Sequence, residues 1–133
     1  MEVLDLDRLF ASLREYWQPL RIARANGQDL RLARLRGRFV WHAHPGEDEV
    51  FLVHRGRLLL HLETAEGRRT LELGPGQLAV VPRGTRHCPE APDEALVLLF
   101  EPSSTVQTGD SGERPPAGIR DLRSLPPGDP GVD

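Results

Sequence analysis

Four residues carry the chemistry this chain can be asked to perform: His42, His44, Glu49 and His87. His42 and His44 lie two apart in a segment that reads as a strand, so both imidazoles point to one face. Pro45-Gly46 turns the chain, and Glu49 opens the next strand, where a carboxylate reaches the same interior point. Glu47 and Asp48 stand beside it, and a turn shifted by one or two residues would exchange them with Glu49. Pro82-Arg83-Gly84 makes a second turn that aims His87 back inward. Three imidazoles and one carboxylate on one centre suit Fe, Mn, Ni, Co or Zn. A six-coordinate ion would keep two positions open for substrate, water or O2. A four-coordinate Zn would be closed and purely structural.

The elements that must hold these residues are mostly short strands. Residues 4–17 predict one amphipathic helix, with Leu6, Leu9, Phe10, Leu13 and Trp17 at helical spacing, Asp5 as its cap and Pro19 as its end. Beyond Pro19 the period changes. Asn26-Gly27 predicts a tight hairpin. Strands are then expected over 39–44, 50–54, 58–63, 70–73, 78–81 and 95–100, separated by Gly and Pro turns. Such a series points to an antiparallel sandwich or barrel. Val50-Phe51-Leu52-Val53 and Leu96-Val97-Leu98-Leu99 are apolar on both faces. The outer face must therefore be covered by the N-terminal helix or by a second subunit, and a homodimer is the expected assembly.

Composition narrows the function classes. The chain has 133 residues, one domain's worth, with 38% hydrophobic residues and few aromatics. Residues 1–100 carry 14 acids and 14 arginines, whereas residues 101–133 carry six acids and three arginines. The net charge of −3 thus sits in the tail, and no basic face suited to phosphate backbones exists. Neither nucleic acid nor a membrane is an expected partner. There is no lysine, which excludes Schiff-base chemistry on the chain. One cysteine allows no internal disulfide, and the N-terminus has no apolar leader, so the expected location is the cytoplasm. Five Pro and five Gly among residues 103–133 resist regular structure, although Ile119, Leu122 and Leu125 can dock locally. The expected division is a helix over 1–18, a barrel over 19–102 and an acidic tail over 103–133.

Two spaced patterns hold the four residues. Gly37-x4-His42-x-His44-x4-Glu49-x6-Gly56 and Gly76-x5-Pro82-x-Gly84-x2-His87 resemble the signature motifs of the cupin superfamily. The resemblance covers roughly residues 19–101. The first Gly-to-His spacing is one shorter than the usual pattern, and Ala91 stands where an Asn is frequent. Trp17-x-Pro19, Phe39-Val40-Trp41-His42, Glu101-Pro102 and Thr105-x-x-Thr108-Gly109-Asp110 look like a subgroup of small single-domain bacterial cupins. The resemblance implies an all-β fold, an antiparallel double-stranded β-helix or jelly-roll barrel. It selects Glu49 among the three acids and implies one divalent transition metal on His42, His44, Glu49 and His87. His54 and His61 lie outside the motifs and read as structural or exposed. Cys88 reads as a small buried hydrophobe, and Arg83 and Arg86 as solvated turn residues.

Cupins include dioxygenases, isomerases, epimerases, decarboxylases, storage proteins and ligand-sensing domains. The fold alone does not choose among these. The first expectation is a metalloenzyme acting on a small organic molecule, with dioxygenase- or isomerase-type chemistry and Glu49 doubling as general base. The alternatives are a non-catalytic module that binds or senses a small ligand, and a metal-free structural cupin.

Overall fold

The computed structural model describes residues 1–113 and 119–125. Asn26 and Gly27 both take positive φ, 54° and 77°, the geometry a two-residue primed hairpin requires. That turn joins β1 (Leu20–Ala25) to β2 (Gln28–Arg38), with Ala25 opposite Gln28. β2 then pairs along its length with β7 (His87–Pro102), from Gln28 opposite Pro102 to Arg38 opposite Glu90. The other edge of β7 serves two partners in turn. Over His87–Glu90 it pairs with β4 (Leu58–Thr64), and over Ala95–Phe100 with β3 (Glu49–Gly56). β5 (Gly67–Leu73) flanks β4, and β6 (Leu78–Val81) flanks β3. The result is the expected antiparallel jelly-roll barrel with one short N-terminal helix.

Gly56 ends β3 because the fold leaves no room for a side chain there. Its φ is 84°, and a Cβ would overlap the Glu94 carbonyl oxygen. This is the physical content of the last glycine in the first motif.

Strand alternation sorts the two faces. Along β7, Ala95, Val97, Leu99 and Glu101 are buried, whereas Leu96, Leu98 and Phe100 are only partly so. The buried set joins Ala33, Leu35, Phe51, Val53, Leu58 and Leu60 inside the barrel. Leu96 and Leu98 meet a second cluster on the outside, formed by Leu9, Phe10 and Leu13 against Leu20 and Leu32. The helix therefore covers part of the outer face, as the apolar strands required.

Three elements differ from expectation. The helix α1 is Leu6–Ser12, seven residues rather than the span 4–17. Asp5 does cap it, accepting from Arg8 N at 3.2 Å. Leu13 then turns extended, and its carbonyl accepts from Arg34 Nη1 at 3.0 Å. Trp17 has a φ of 61° and donates its backbone N–H to the Arg34 carbonyl at 2.9 Å. Contacts with β2 outweigh the helical period here, and Trp17 leaves the helix stripe to stack on Phe39 at 4.6 Å. The segment over 39–44 makes no continuous strand; its ladder contact is a bridge between His42 and His87. β7 begins at His87, eight residues before Ala95, and takes Pro89 and Pro92 into the strand.

The tail is more ordered than its composition predicts. Turns over 103–113 fold back onto the barrel, with Thr105 and Thr108 buried. Arg120–Asp121 form β8, a short parallel partner of β1. Leu122 and Leu125 pack against the helix cluster, the local docking that was expected. The rest of the predicted tail, 114–118 and 126–133, lies outside the described residues.

Candidate metal centre

His42 and His87 are anchored before they reach the centre. His42 and His87 exchange backbone hydrogen bonds of 2.9 and 2.8 Å, which fixes the two strand segments side by side. His42 Nδ1 lies 2.9 Å from the Val40 carbonyl, and His87 Nδ1 lies 2.9 Å from the Thr85 carbonyl. A carbonyl only accepts, so both Nδ1 atoms carry the proton. Each Nε2 is left with a free lone pair, as metal-ligating histidines usually show. The His42 ring centre lies 4.3 Å from that of His87 and 4.9 Å from that of His44.

Glu49 is the acid that the fold turns inward. Its Oε1 stands 3.5 Å from His44 Nε2 and 3.3 Å from His87 Nε2. Asp48 instead accepts from Arg83 N at 2.8 Å, and Glu47 accepts from Ser104 Oγ at 3.3 Å; both contacts are exposed. The turn register that left three acids open is thus resolved toward Glu49. His42, His44, Glu49 and His87 are all buried, and their ligand atoms lie within 4.8 Å of one another. Two atoms bound to one ion at about 2.1 Å are at most about 4.2 Å apart, so a slight contraction seats a cation.

Three buried atoms give the chemical test of fit. Among the described residues His44 Nε2, Glu49 Oε1 and His87 Nε2 have no hydrogen-bond partner. Each such orphan costs about 1–3 kcal/mol when left alone. A single cation among them would satisfy all three, and the N3O donor set suits a first-row transition metal.

Burial pushes the His42 imidazole down to about 4, with His87 beside it acting in the same direction. The unfolded ring titrates near 6.5. The folded pKa lies below the unfolded one, so the unfolded state binds the extra proton first. The metal-free protein is expected to lose roughly 3 kcal/mol of stability as pH falls from 6.5 to 4, read as a falling urea midpoint. A midpoint that stays flat across that window contradicts a neutral, buried His42.

Sequence reasoning missed the groups behind Glu49. Glu101 and Arg31 are fully buried, and Arg31 Nη1 donates to Glu101 Oε1 at 2.9 Å. Burial raises the Glu101 carboxyl well above the usual range, and the neighbouring Glu49 charge adds to this. Burial acts the same way on Glu49, but its neighbours, Glu101 first and then His44 and His87, hold it well below the usual range. Two signals existed. Asp29 and Arg31 share the inward phase of β2 with Ala33 and Leu35, and Glu101 continues the inward phase of Val97 and Leu99.

A cavity of about 30 Å3, room for roughly two waters, opens beside His42 and Glu49. Trp17, Leu35, Phe39, Phe51 and Leu99 form its walls, and Gln107 borders it from the tail. Gln107 Nε2 donates to the Trp17 carbonyl at 2.7 Å, while its Oε1 is buried without a partner. Gly109 packs directly on the metal-site loop: its φ is 51°, and a Cβ would strike the Ala43 carbonyl oxygen and crowd the His42 ring. The tail is thus part of the site's wall. His61 lies elsewhere, between Thr70 Oγ1 at 2.9 Å and Glu90 Oε1 at 2.8 Å. His54 stacks on Phe10 and bonds Asp7 at 2.7 Å, which ties α1 to β3. Cys88 is buried, and burial raises its thiol.

The profile of the cupin domain family matches residues 34–101. The chain is a cupin. It is 36% identical over 66 residues to protein YdbB of Bacillus subtilis, half of this cupin and 56% of that protein, so the match spans little over half of its relative. The crystal structure of a cupin-2 domain protein from Shewanella frigidimarina is similar at 32% identity, with a TM-score of 0.71 over 75% of this chain and 94% of that one. Protein NMB1881 from Neisseria meningitidis is similar at 31% identity, with a TM-score of 0.68 over 77% of this chain and 100% of that one. A hydroquinone 1,2-dioxygenase from a Sphingomonas species shares the fold at 16% identity, with a TM-score of 0.67 over 92% of this cupin and 80% of that chain.

Proposed function

We propose that this cupin binds one divalent transition metal through His42, His44, Glu49 and His87 and acts on a small organic molecule held beside it. The observation that carries the reading is the convergence of three orphaned buried ligand atoms next to an apolar cavity. These atoms also weigh against a metal-free structural cupin, which would leave their cost uncompensated. Fe, Mn, Ni, Co and Zn all suit the donor set. The metal, when bound, supplies a Lewis acid and, as iron, an O2 site. The chain's own residues hold it and shape the pocket: Trp17, Phe39 and Phe51 exclude water and favour a small apolar body. Glu49 is the candidate general base, taking a substrate proton on a carboxylate oxygen released from the metal. Dioxygenase- or isomerase-type reactions fit this set.

The second reading for the same cavity is a non-catalytic module that binds a small ligand without turnover. A thermal-shift screen of metal-loaded protein against small enols, phenols and 2-oxo acids, followed by product analysis of each hit, separates the two. Hits with new products are expected; hits without products leave the binding module, and no hit at all rejects both.

We also infer a homodimer. Among the described residues β6 is bonded on one edge only, and Leu78 and Val80 on it are 58% and 52% exposed. They lie across β3 from Leu52 and Val50, which pair onward with Leu98 and Phe100. This outer apolar strip extends past the helix. Light scattering of Val80→Glu is expected to give a monomer where the natural chain gives a dimer; identical masses would reject this face. No helix among the described residues is long and apolar enough to cross a membrane. The single cysteine, which allows no internal disulfide, fits a cytoplasmic location.

A further inference from the structure

Three carboxyl groups stand in a row across the barrel floor. Asp29 on β2 is directly opposite Glu101 on β7. On the other edge of β7, Val50 is opposite Phe100, and Glu49 and Glu101 are the next couple outward. All three side chains are buried. Like charges at opposed strand positions repel, so such a row needs a reason.

One cation lies beneath it. Arg31 Nη2 donates to Asp29 Oδ2 at 2.9 Å, and Nη1 donates to Glu101 Oε1 at 2.9 Å. The tail closes the cage, since Arg31 also donates to the carbonyls of Thr105 at 3.0 Å and Ser103 at 3.2 Å. Asp29 has further partners in Arg21, Arg24 and the Ser103 hydroxyl. Arg31 and Asp29 would therefore be matched without Glu101. A buried ion pair is seldom more stable than apolar packing, and Val97 and Leu99 in the same phase of β7 show the apolar solution. Glu101 Oε2 has no hydrogen-bond partner among the described residues, and the strand register sets its carboxyl beside that of Glu49.

We propose that Glu101, seated on Arg31, is the positioning residue for Glu49: it fixes the carboxyl so that Oε1 stays turned toward the three imidazoles. This rests on the ligand role of Glu49 proposed above. An outer-shell partner of this kind typically changes metal affinity by about 10–100-fold.

Cobalt(II) is the probe, because its visible bands report the number and type of ligands. The natural chain, Glu101→Gln, Glu101→Leu and Glu49→Gln are each titrated with Co(II) as full-length protein. Glutamine at 101 can still accept from Arg31 and offers an N–H to Glu49. It is expected to keep the affinity within about threefold and the bands in place, well inside the range of an outer-shell loss. Leucine is expected to weaken Co(II) roughly 10–100-fold and to move the bands toward those of Glu49→Gln. Natural affinity and bands in the leucine variant overturn the proposal, and so does glutamine damage equal to leucine damage. Should the leucine variant not fold, Glu101→Asp replaces it. Aspartate keeps a charge for Arg31 but withdraws by one methylene from Glu49, so weaker binding supports the proposal and unchanged binding overturns it. If Glu49→Gln leaves the bands untouched, Glu49 is not a ligand. That outcome removes the reading beneath and is distinguishable from a failure at Glu101 alone.

Discussion

Alanine at His87 is expected to empty the metal centre. His87 is the ligand that β7 supplies, and it is held from two sides, by the His42 backbone and by the Thr85 carbonyl on its Nδ1. Without it, His42, His44 and Glu49 keep three donors, and Glu49 Oε1 loses its nearer imidazole at 3.3 Å. Outer-shell losses alone cost about 10–100-fold in affinity, so loss of a ligand is expected to cost at least about 100-fold. Metal content after dialysis, measured by mass spectrometry, is expected to fall from about one ion per chain to a trace. Thermal melts give a second reading. Metal at about 100 times its Kd stabilises by roughly 2.7 kcal/mol, so a chelator should lower the melting temperature of the natural chain by several degrees. The same chelator should leave His87→Ala unmoved. His61→Ala is the control, because that imidazole bonds Thr70 and Glu90 away from the centre and should keep its metal. Undiminished metal in His87→Ala would show that the ion sits elsewhere.

The site was legible where spacing alone decides geometry. A two-residue step in extended backbone puts His42 and His44 on one face, and here a bridge to His87 rather than a continuous strand holds them there. Asn26-Gly27 fixed its hairpin for the same local reason. Features set by distant contacts were not legible. Trp17 carries a helical period, yet its backbone bonds to Arg34 and its ring stacks on Phe39, so the helix stops at Ser12. Pro89 and Pro92 disguise the first half of β7, which is held in the sheet by β2 and β4 on either side. The Gly- and Pro-rich segment after Pro102 is ordered by Arg31 and Ala43, partners more than 60 residues upstream. Glu101 and Arg31 look like solvated charges in a list of residues. Their strand phase marks them as inward, but only the registers of β2 and β3 against β7 bring them together behind Glu49.

Arg31→Met is expected to destabilise the chain strongly. Methionine fills much of the same volume, so the effect isolates the charge rather than a cavity. Asp29 would keep Arg21, Arg24 and Ser103, but Glu101 would lose the cation that Arg31 provides, and two tail carbonyls would lose their donor. Removing one partner from a buried ion network costs about 3–5 kcal/mol, a large share of the roughly 5–15 kcal/mol that holds a small domain together. A urea midpoint measured at neutral pH reads this loss directly. Its pH dependence identifies the cause. Although burial opposes it, hydrogen bonds from Ser103, Arg21 and Arg31 hold the Asp29 carboxyl well below its usual range. A folded pKa below the unfolded one adds stability above about pH 4, and that stability is lost as pH falls toward the folded value. Arg31→Met shrinks this contribution, so the gap between variant and natural chain should narrow once pH drops below about 4. A deficit under about 1 kcal/mol, or one that stays constant with acid, would mean that Arg31 is not the charge on which the floor of the barrel depends.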